Sequence, residues 1–215
     1  MGKRSIFHWT GRKQNNRNII LPGDIVKVLF INGSPRKHGI TSELIRIAST
    51  AIVGSGNHEI EILNISDLNI KPCIGCFKCR PDKKCFQTDE GNLVGDKIRS
   101  ADALFIGTPT YFGNISGQLK ILFDRLVPVF EYVDTGLPHP NMKEKKAAVA
   151  VVSGAPFPFN LLKTQSAGAV QAMKTILHAG GCRITGILNY PSSSKKQISE
   201  NTKKKLRKIA AGLVK

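Results

Sequence analysis

Asp24-Ile-Val-Lys-Val-Leu-Phe-Ile-Asn32, broken by Gly33-Ser-Pro-Arg-Lys-His-Gly39 and resumed by Thr41-Ser42-Glu43, is the stretch from which the fold class follows. The first nine residues are almost continuously β-branched or aliphatic. That pattern suits a strand buried on both faces of a parallel sheet, not one with a wet side. Glycine and proline break the run. Thr41-Ser42-Glu43 reads as a helix start, with Leu44, Ile45, Ala48 and Ala51 at helical spacing behind it. A strand feeding a helix through a short loop is one unit of an α/β fold.

The unit recurs along the chain. Residues 58–65 alternate as a second strand, and a helix is expected near 92–100. Residues 101–108 form a third strand and 109–114 a loop. A helix over 115–127 carries Leu119, Leu122, Phe123 and Leu126 on one face, with Pro128 as its stop. A long connection over 129–144 leads to a fourth strand at 146–153 and the loop Gly154-Ala-Pro-Phe-Pro-Phe159. A helix over 161–179, a fifth strand at 182–190, and a last helix with Ile198, Thr202, Leu206, Ile209 and Leu213 complete the pattern. Five strand–helix repeats predict a parallel sheet covered by helices on both faces, with right-handed crossovers. Ligands of such sheets sit beyond the carboxyl ends of the strands. The loops expected there are 33–42, the segment after the second strand, 109–114 and 154–159.

The segment after the second strand contains four of the five cysteines, as Cys73-Ile-Gly-Cys76-Phe-Lys-Cys79-Arg-Pro-Asp-Lys-Lys-Cys85. Three thiols with two residues between neighbours converge only if the backbone curls, and Gly75 permits that. Four cysteines are the usual ligands of a four-iron cluster, and the spacing is close to the bacterial ferredoxin run. Zinc is the competing reading, although its cysteine hooks are ordinarily two separate pairs. A disulfide framework is disfavoured because one cysteine is left over. Cys182 is expected to pack as a small hydrophobe.

In the 215 residues, 32 Lys and Arg oppose 15 Asp and Glu, for a net charge of +17. The excess collects in residues 1–23, the cysteine loop and the last two dozen residues. It would attract acidic partners, protein or nucleic acid. No apolar run approaches a membrane span. Residues 1–23 read as a basic arm without the long apolar stretch of a secretory signal, so a cytoplasmic protein is expected. No carboxylate pair and no Ser/His/Asp set presents itself, so hydrolytic chemistry is not indicated and the reaction falls to cofactors.

The first loop runs from a strand into a helix N-terminus, a ready anion site. It is neither G-x-G-x-x-G nor a Walker loop. Ser34, Thr41 and Ser42 hydroxyls, backbone N–H groups and Arg36 suit a phosphate monoester, while Thr41 and Ser42 are also expected to cap the helix. Tyr111 could stack on a ligand or pack its own loop. His38 is expected to face solvent, and Asp124 and Arg125 to form a helix-end ion pair.

Ile31-Asn-Gly-Ser-Pro-Arg-Lys-His-Gly-Ile-Thr-Ser-Glu-Leu44, with residues 109–120 (PTYFGNISGQLK) and Phe123-Asp-Arg125, resembles the flavodoxin-like NAD(P)H-dependent FMN reductases. The cysteine loop resembles that of the iron–sulfur flavoproteins within the group. The resemblance covers residues 25–215 and implies a three-layer α/β fold with a five-stranded parallel sheet and a cysteine loop inserted after the second strand. Residues 24–215 would be one FMN-binding domain, with a compact cysteine loop at 66–90. Ser34, Arg36, Thr41 and Ser42 would hold the FMN phosphate. Pro109, Thr110, Tyr111, Phe112, Gly113 and Asn114 would line the isoalloxazine, with Ser153 and Gly154 on its far side. Cys73, Cys76, Cys79 and Cys85 would ligate a [4Fe-4S] cluster. A homo-oligomer, dimer or tetramer, and an acidic electron carrier such as ferredoxin would be the partners; nucleic acid is the weaker expectation. The activity implied is FMN-dependent electron transfer or oxidoreduction. The alternatives are a cluster-free NAD(P)H-dependent FMN or quinone reductase, and a zinc-stabilised nucleic-acid-binding protein. Two features depart from the family: the arm is longer than expected, and Phe86 replaces the proline that follows the last ferredoxin cysteine.

Overall fold

The computed structural model describes residues 24–79, 84–134, 136–191 and 197–215. The basic arm expected over 1–23 and residues 80–83 of the cysteine loop lie outside them. Strand β1 (Lys27–Asn32) leads to helix α1 (Ile40–Val53), and β2 (Glu59–Asn64) leads through the cysteine loop to α2 (Glu90–Ser100). Next come β3 (Ala103–Tyr111), the two-residue β4 (Asn114–Ile115), α3 (Gly117–Arg125) and the single-turn α4 (Val127–Phe130). A hairpin of β5 (Glu131–Asp134) and β6 (Leu137–Pro140) follows. The chain ends with β7 (Lys146–Val152), α5 (Gly168–Ala179), β8 (Arg183–Tyr190) and α6 (Glu200–Ala211).

The main sheet runs β2-β1-β3-β7-β8, with every neighbouring pair parallel. Counted along this sheet alone the order is 2-1-3-4-5, the flavodoxin-like doubly wound order, with its switch point between β1 and β3. The expected three-layer, five-stranded fold is therefore present. Side chains alternate across a strand, and both alternations are apolar here. Val28, Phe30, Phe105, Ala148 and Ala150 pack with Leu44, Ile45, Ile52, Leu206 and Ile209 of α1 and α6. Leu29, Ile31, Leu104, Ile106, Val149 and Val151 pack with Val94, Ile98, Leu119, Leu122, Met173 and Leu177 on the opposite face. Phe30 and Phe105 stack across β1 and β3 at 5.2 Å. Two cores explain why the strands read as unbroken apolar runs.

Several boundaries differ from expectation. Residues 109–111 are not loop: β3 continues through Pro109, which pairs with Val152, and Tyr111 pairs with Asn114 of β4. The connection over 129–144 contains the β5–β6 hairpin. Pro128 does not stop the preceding helix. That helix ends at Arg125, and Pro128 sits in the first turn of α4, where its missing N–H costs nothing. The helix expected over 161–179 is regular only from Gly168; a 3-10 turn (Phe159–Leu161) and a π turn (Lys163–Ala167) precede it. Thr41 and Ser42 do not cap α1. The N-cap is Gly39, and no side chain bonds there.

Candidate functional site

The first loop is closed by short polar side chains. Asn32, buried at the end of β1, donates from Nδ2 to Ser42 Oγ and to Asn64 Oδ1, each at 3.0 Å. Its Oδ1 accepts the Ser34 N–H at 3.1 Å. Ser34 Oγ accepts the Arg36 N–H at 3.1 Å, and Ser42 Oγ donates to the Arg36 carbonyl at 3.0 Å. The Ser42 hydroxyl has one proton, and that proton is spent inside the loop. Ser34 and Ser42 thus shape the turn more than they point donors outward. The donors suited to a phosphate are the first-turn N–H groups of α1, which have no intrahelical acceptor, and the exposed Arg36 guanidinium. Thr41 is buried and His38 is exposed. The donor chemistry of this cradle fits a phosphate monoester.

The neighbouring loop is tied to the first. Ser116 Oγ donates to the Gly33 carbonyl at 2.6 Å and caps α3 by accepting the Leu119 N–H. The Ser116 N–H bonds Thr108 Oγ1 at 3.1 Å. Between β3 and β4 the turn is Phe112-Gly113, at φ +50° and +71°. Two successive positive values define a two-residue hairpin turn that glycine fits and phenylalanine resists, at about 1–2 kcal/mol. Gly113 also meets backbone: a Cβ there would lie 2.6 Å from the Lys163 carbonyl, and one on Gly168 would lie 2.1 Å from the Gly113 carbonyl. The turn is therefore clamped against the start of α5. It presents Phe112 fully exposed and Tyr111 about half exposed (48%). Pro109 and Thr110 lie partly buried behind it, and Asn114 is exposed. Ser153 follows Val152, the partner of Pro109, and its buried hydroxyl accepts the Ala155 N–H at 3.2 Å, while Gly154 is exposed. Ser34, the Phe112-Gly113 turn and Ser153 thus follow the adjacent strands β1, β3 and β7.

The cysteine loop is organised by a residue that the sequence reading assigned elsewhere. Arg125 does not pair with Asp124, which instead meets Lys120 at 2.5 Å on the exposed face. Successive helix residues point in different directions, and Arg125 lies three residues beyond Leu122 on the buried stripe. Its side chain has 0% exposure. Nη1 donates to Asp89 Oδ2 and to the Lys71 carbonyl, each at 2.7 Å. Nη2 donates to Asp89 Oδ1 at 3.0 Å and to the Gln87 carbonyl at 3.4 Å. Nε donates to Cys85 Sγ at 3.2 Å. A guanidinium has five N–H donors, and these five bonds use all of them.

Asp89 is also the N-cap of α2, accepting the Gly91 N–H at 2.9 Å and the Lys71 N–H at 3.0 Å. Burial alone would raise its carboxyl, but the bonds from Arg125, Lys71 and Gly91 outweigh it and hold the group below the usual carboxylate range. Glu90 accepts the Asn69 N–H at 2.6 Å, and Asn92 donates to the carbonyls of Cys85 and Gln87, each at 2.9 Å. Both ends of the loop are thus fastened to the start of α2.

Cys76 is flanked by two left-handed residues, Gly75 at φ +66° and Phe77 at +58°, which curl the chain around it. Protein atoms leave open space at Gly75, so within the chain itself the demand for glycine is conformational. Burial pushes the Cys79 thiol up, and the charges of Cys85, Cys73 and Cys76 add to that; the residue's own backbone hydrogen bond opposes it. All four thiols are free. Among the described residues no three Cys, His, Asp or Glu side chains converge as a metal site. What fits an iron–sulfur cluster is the donor set, four free thiols in one loop, and an N–H aimed at one sulfur. Cys182 is buried in the core, and burial pushes its thiol to about 11. Part of the basic charge of the cysteine loop is engaged: Lys78 sits 4.8 Å over the Phe86 ring, and Lys84 pairs with Asp96 at 3.2 Å.

Ser116 caps the start of α3 and Arg125 lies in its last turn. At 1.5 Å per residue the two anchors are about 13 Å apart, so one helix holds the first loop at one end and the cysteine loop at the other. No helix among the described residues is long and apolar enough to cross a membrane.

Residues 26–182 match the family model described as NADPH-dependent FMN reductase. An iron-sulfur flavoprotein of Methanocaldococcus jannaschii is 41% identical over 104 residues, 48% of this chain and 53% of that protein. One from Clostridioides difficile is 25% identical over 186 residues, 85% of this chain and 76% of that protein. The chain spans about half the length of the first curated relatives it matches. Among solved structures, an FMN-dependent NADH-azoreductase from Bacillus anthracis in complex with FMN aligns with a TM-score of 0.70 at 15% identity, covering 88% of this chain and 100% of that one. At that identity the likeness concerns the fold alone.

Proposed function

The chain belongs to the NADPH-dependent FMN reductase family, and from that premise we propose that it is an FMN-dependent oxidoreductase carrying a [4Fe-4S] cluster on Cys73, Cys76, Cys79 and Cys85. Residues 24–215 form its flavin-binding domain. The α1 N-terminus and Arg36 receive the FMN phosphate, with Ser34, Thr41 and Ser42 shaping the cradle. Residues 109–114, with Ser153 and Gly154, border the ring. FMN would supply two-electron chemistry, and a cluster would pass electrons singly to or from a carrier such as ferredoxin. The observation that carries the reading is the cysteine loop: four free thiols within thirteen residues, with the Arg125 Nε–H directed at one of them. The names of the relatives agree with it. The protein is taken to work in the cytoplasm as a dimer or tetramer.

Anaerobic purification, a visible spectrum and an iron assay test the cofactors. Two resolved flavin bands, a broad brown shoulder and four irons per FMN are expected. Flavin bands with stoichiometric zinc and no shoulder would overturn the cluster. The partner is tested separately. Exposed charge steers an acidic carrier over roughly 10 Å at 0.1 M salt, so reduction by ferredoxin should slow as salt rises, while reduction by a small neutral reagent should not. A rate flat in salt would remove the carrier from the scheme. The second reading is a cluster-free NAD(P)H-dependent FMN or quinone reductase, in line with the family model that the chain matches. It requires full activity with NAD(P)H in a protein without iron.

A further inference from the structure

We infer that Arg125 is a positioning residue for the fourth cluster ligand, holding the Cys85 sulfur by an N–H···S bond that favours the reduced state of the cluster. The inference rests on the four-iron reading above. Three observations carry it. Nε lies 3.2 Å from Cys85 Sγ. The guanidinium is wholly buried, so water does not compete for that bond. Its other edge is fixed by both oxygens of Asp89 and by the carbonyls of Lys71 and Gln87, so the fork cannot swing away from the sulfur.

Asp89 neutralises the guanidinium, so the sulfur meets a directed N–H dipole and not an unbalanced cation. One electron from a one-electron carrier would reduce iron and add one negative charge to the cluster, shared in part by the ligand sulfurs, with no bond made or broken. A donor pointed at a ligand sulfur interacts more strongly with the more negative state, and hydrogen bonds to sulfur are one of the factors that set cluster potentials. Arg125 is therefore more than a brace for the loop. Lysine could keep the charge against Asp89, but a compact ammonium cannot span Asp89, Lys71 and Cys85 in one plane.

The full-length protein, purified anaerobically with its iron, is titrated electrochemically while EPR follows the cluster and absorbance follows FMN. In Arg125→Lys the cluster's reduced-to-oxidised ratio at a fixed ambient potential should fall about tenfold, which is 59 mV for one electron. The FMN potential and the iron content should stay as in wild type. An unchanged cluster potential with iron retained would overturn the inference and leave the cluster reading standing. A wild type that binds FMN but no iron would overturn both. A measurement on the wild type alone covers the case of an unfolded variant. With guanidino-15N arginine incorporated, pulsed EPR of the reduced cluster should show a 15N coupling; its absence sinks the inference.

Discussion

Between β1 and α1 the chain closes on itself, whereas between β2 and α2 it is held from a distance. In the first loop Asn32, Ser34, Arg36 and Ser42 bond one another within ten residues. In the cysteine loop the decisive bonds come from Arg125, 36 residues beyond Asp89, 40 beyond Cys85 and 54 beyond Lys71. A loop built from several short local bonds loses one of them when a residue is replaced. A loop gathered on one buried cation loses its organising centre, and the anion that faced the cation is left behind. The two loops therefore differ most in how they fail.

The largest effect is expected from Arg125→Ala. It leaves Asp89 buried without its partner, and breaking such a pair costs about 3–5 kcal/mol. The denaturant midpoint should fall accordingly, and a loss below about 1 kcal/mol would mean that the cysteine loop is closed locally after all. The same pair gives a pH dependence. Because the native Asp89 carboxyl is held below its unfolded value, its contribution is complete above about pH 4. It is lost as pH falls through the native value. Asp89→Asn should flatten that acid limb, and a limb unchanged in the variant would assign it to other carboxylates.

Two intermediate effects probe the first loop. Asn32→Ala removes three bonds around a buried site and should cost about 1–3 kcal/mol, measured by denaturant, with iron content untouched. Iron lost together with stability would show that the two loops fail as one. Arg36→Ala should leave stability alone and weaken FMN by about 1–3 kcal/mol, while riboflavin, which lacks the phosphate, binds both proteins equally. Equal affinity of the wild type for FMN and riboflavin would take the phosphate away from this loop. The smallest effect sharpens the contrast within one dipeptide. Asp124→Ala removes an exposed pair with Lys120 and should cost no more than about 0.5 kcal/mol, beside a neighbour whose loss is several times worse.

The parts of the molecule that the sequence makes legible are those whose physics is local. The apolar run at 24–32 names a buried strand because both of its faces meet helices. The cysteine spacing is visible at once, and so is the anion-binding character of a strand–loop–helix junction. The hairpin at 131–140 escapes because Gly136, Pro138 and Pro140 read as breakers, although an edge hairpin tolerates them. The strand ending at Tyr111 escapes for the same reason at Pro109. The π turn at 163–167 has no periodicity to betray it. Arg125 is the instructive miss. An ion pair with Asp124 is what adjacency suggests, but adjacent helical residues do not face each other. The signal was a charged residue on the stripe of Leu119 and Leu122, which asks for a buried partner. Nothing in the order of residues says that the partner is Asp89.

The order of the chain also sets an order in time. All four clustered thiols leave the ribosome before Arg125 does, because it follows Cys85 by 40 residues. At 5–20 residues per second the delay is roughly 2–8 seconds. During that interval the nascent chain carries the thiols and Asp89 without the cation that later gathers them. Whatever delivers or damages at those sulfurs meets an open segment first and a fastened one afterwards, so the last turn of α3 works as a latch that synthesis closes late.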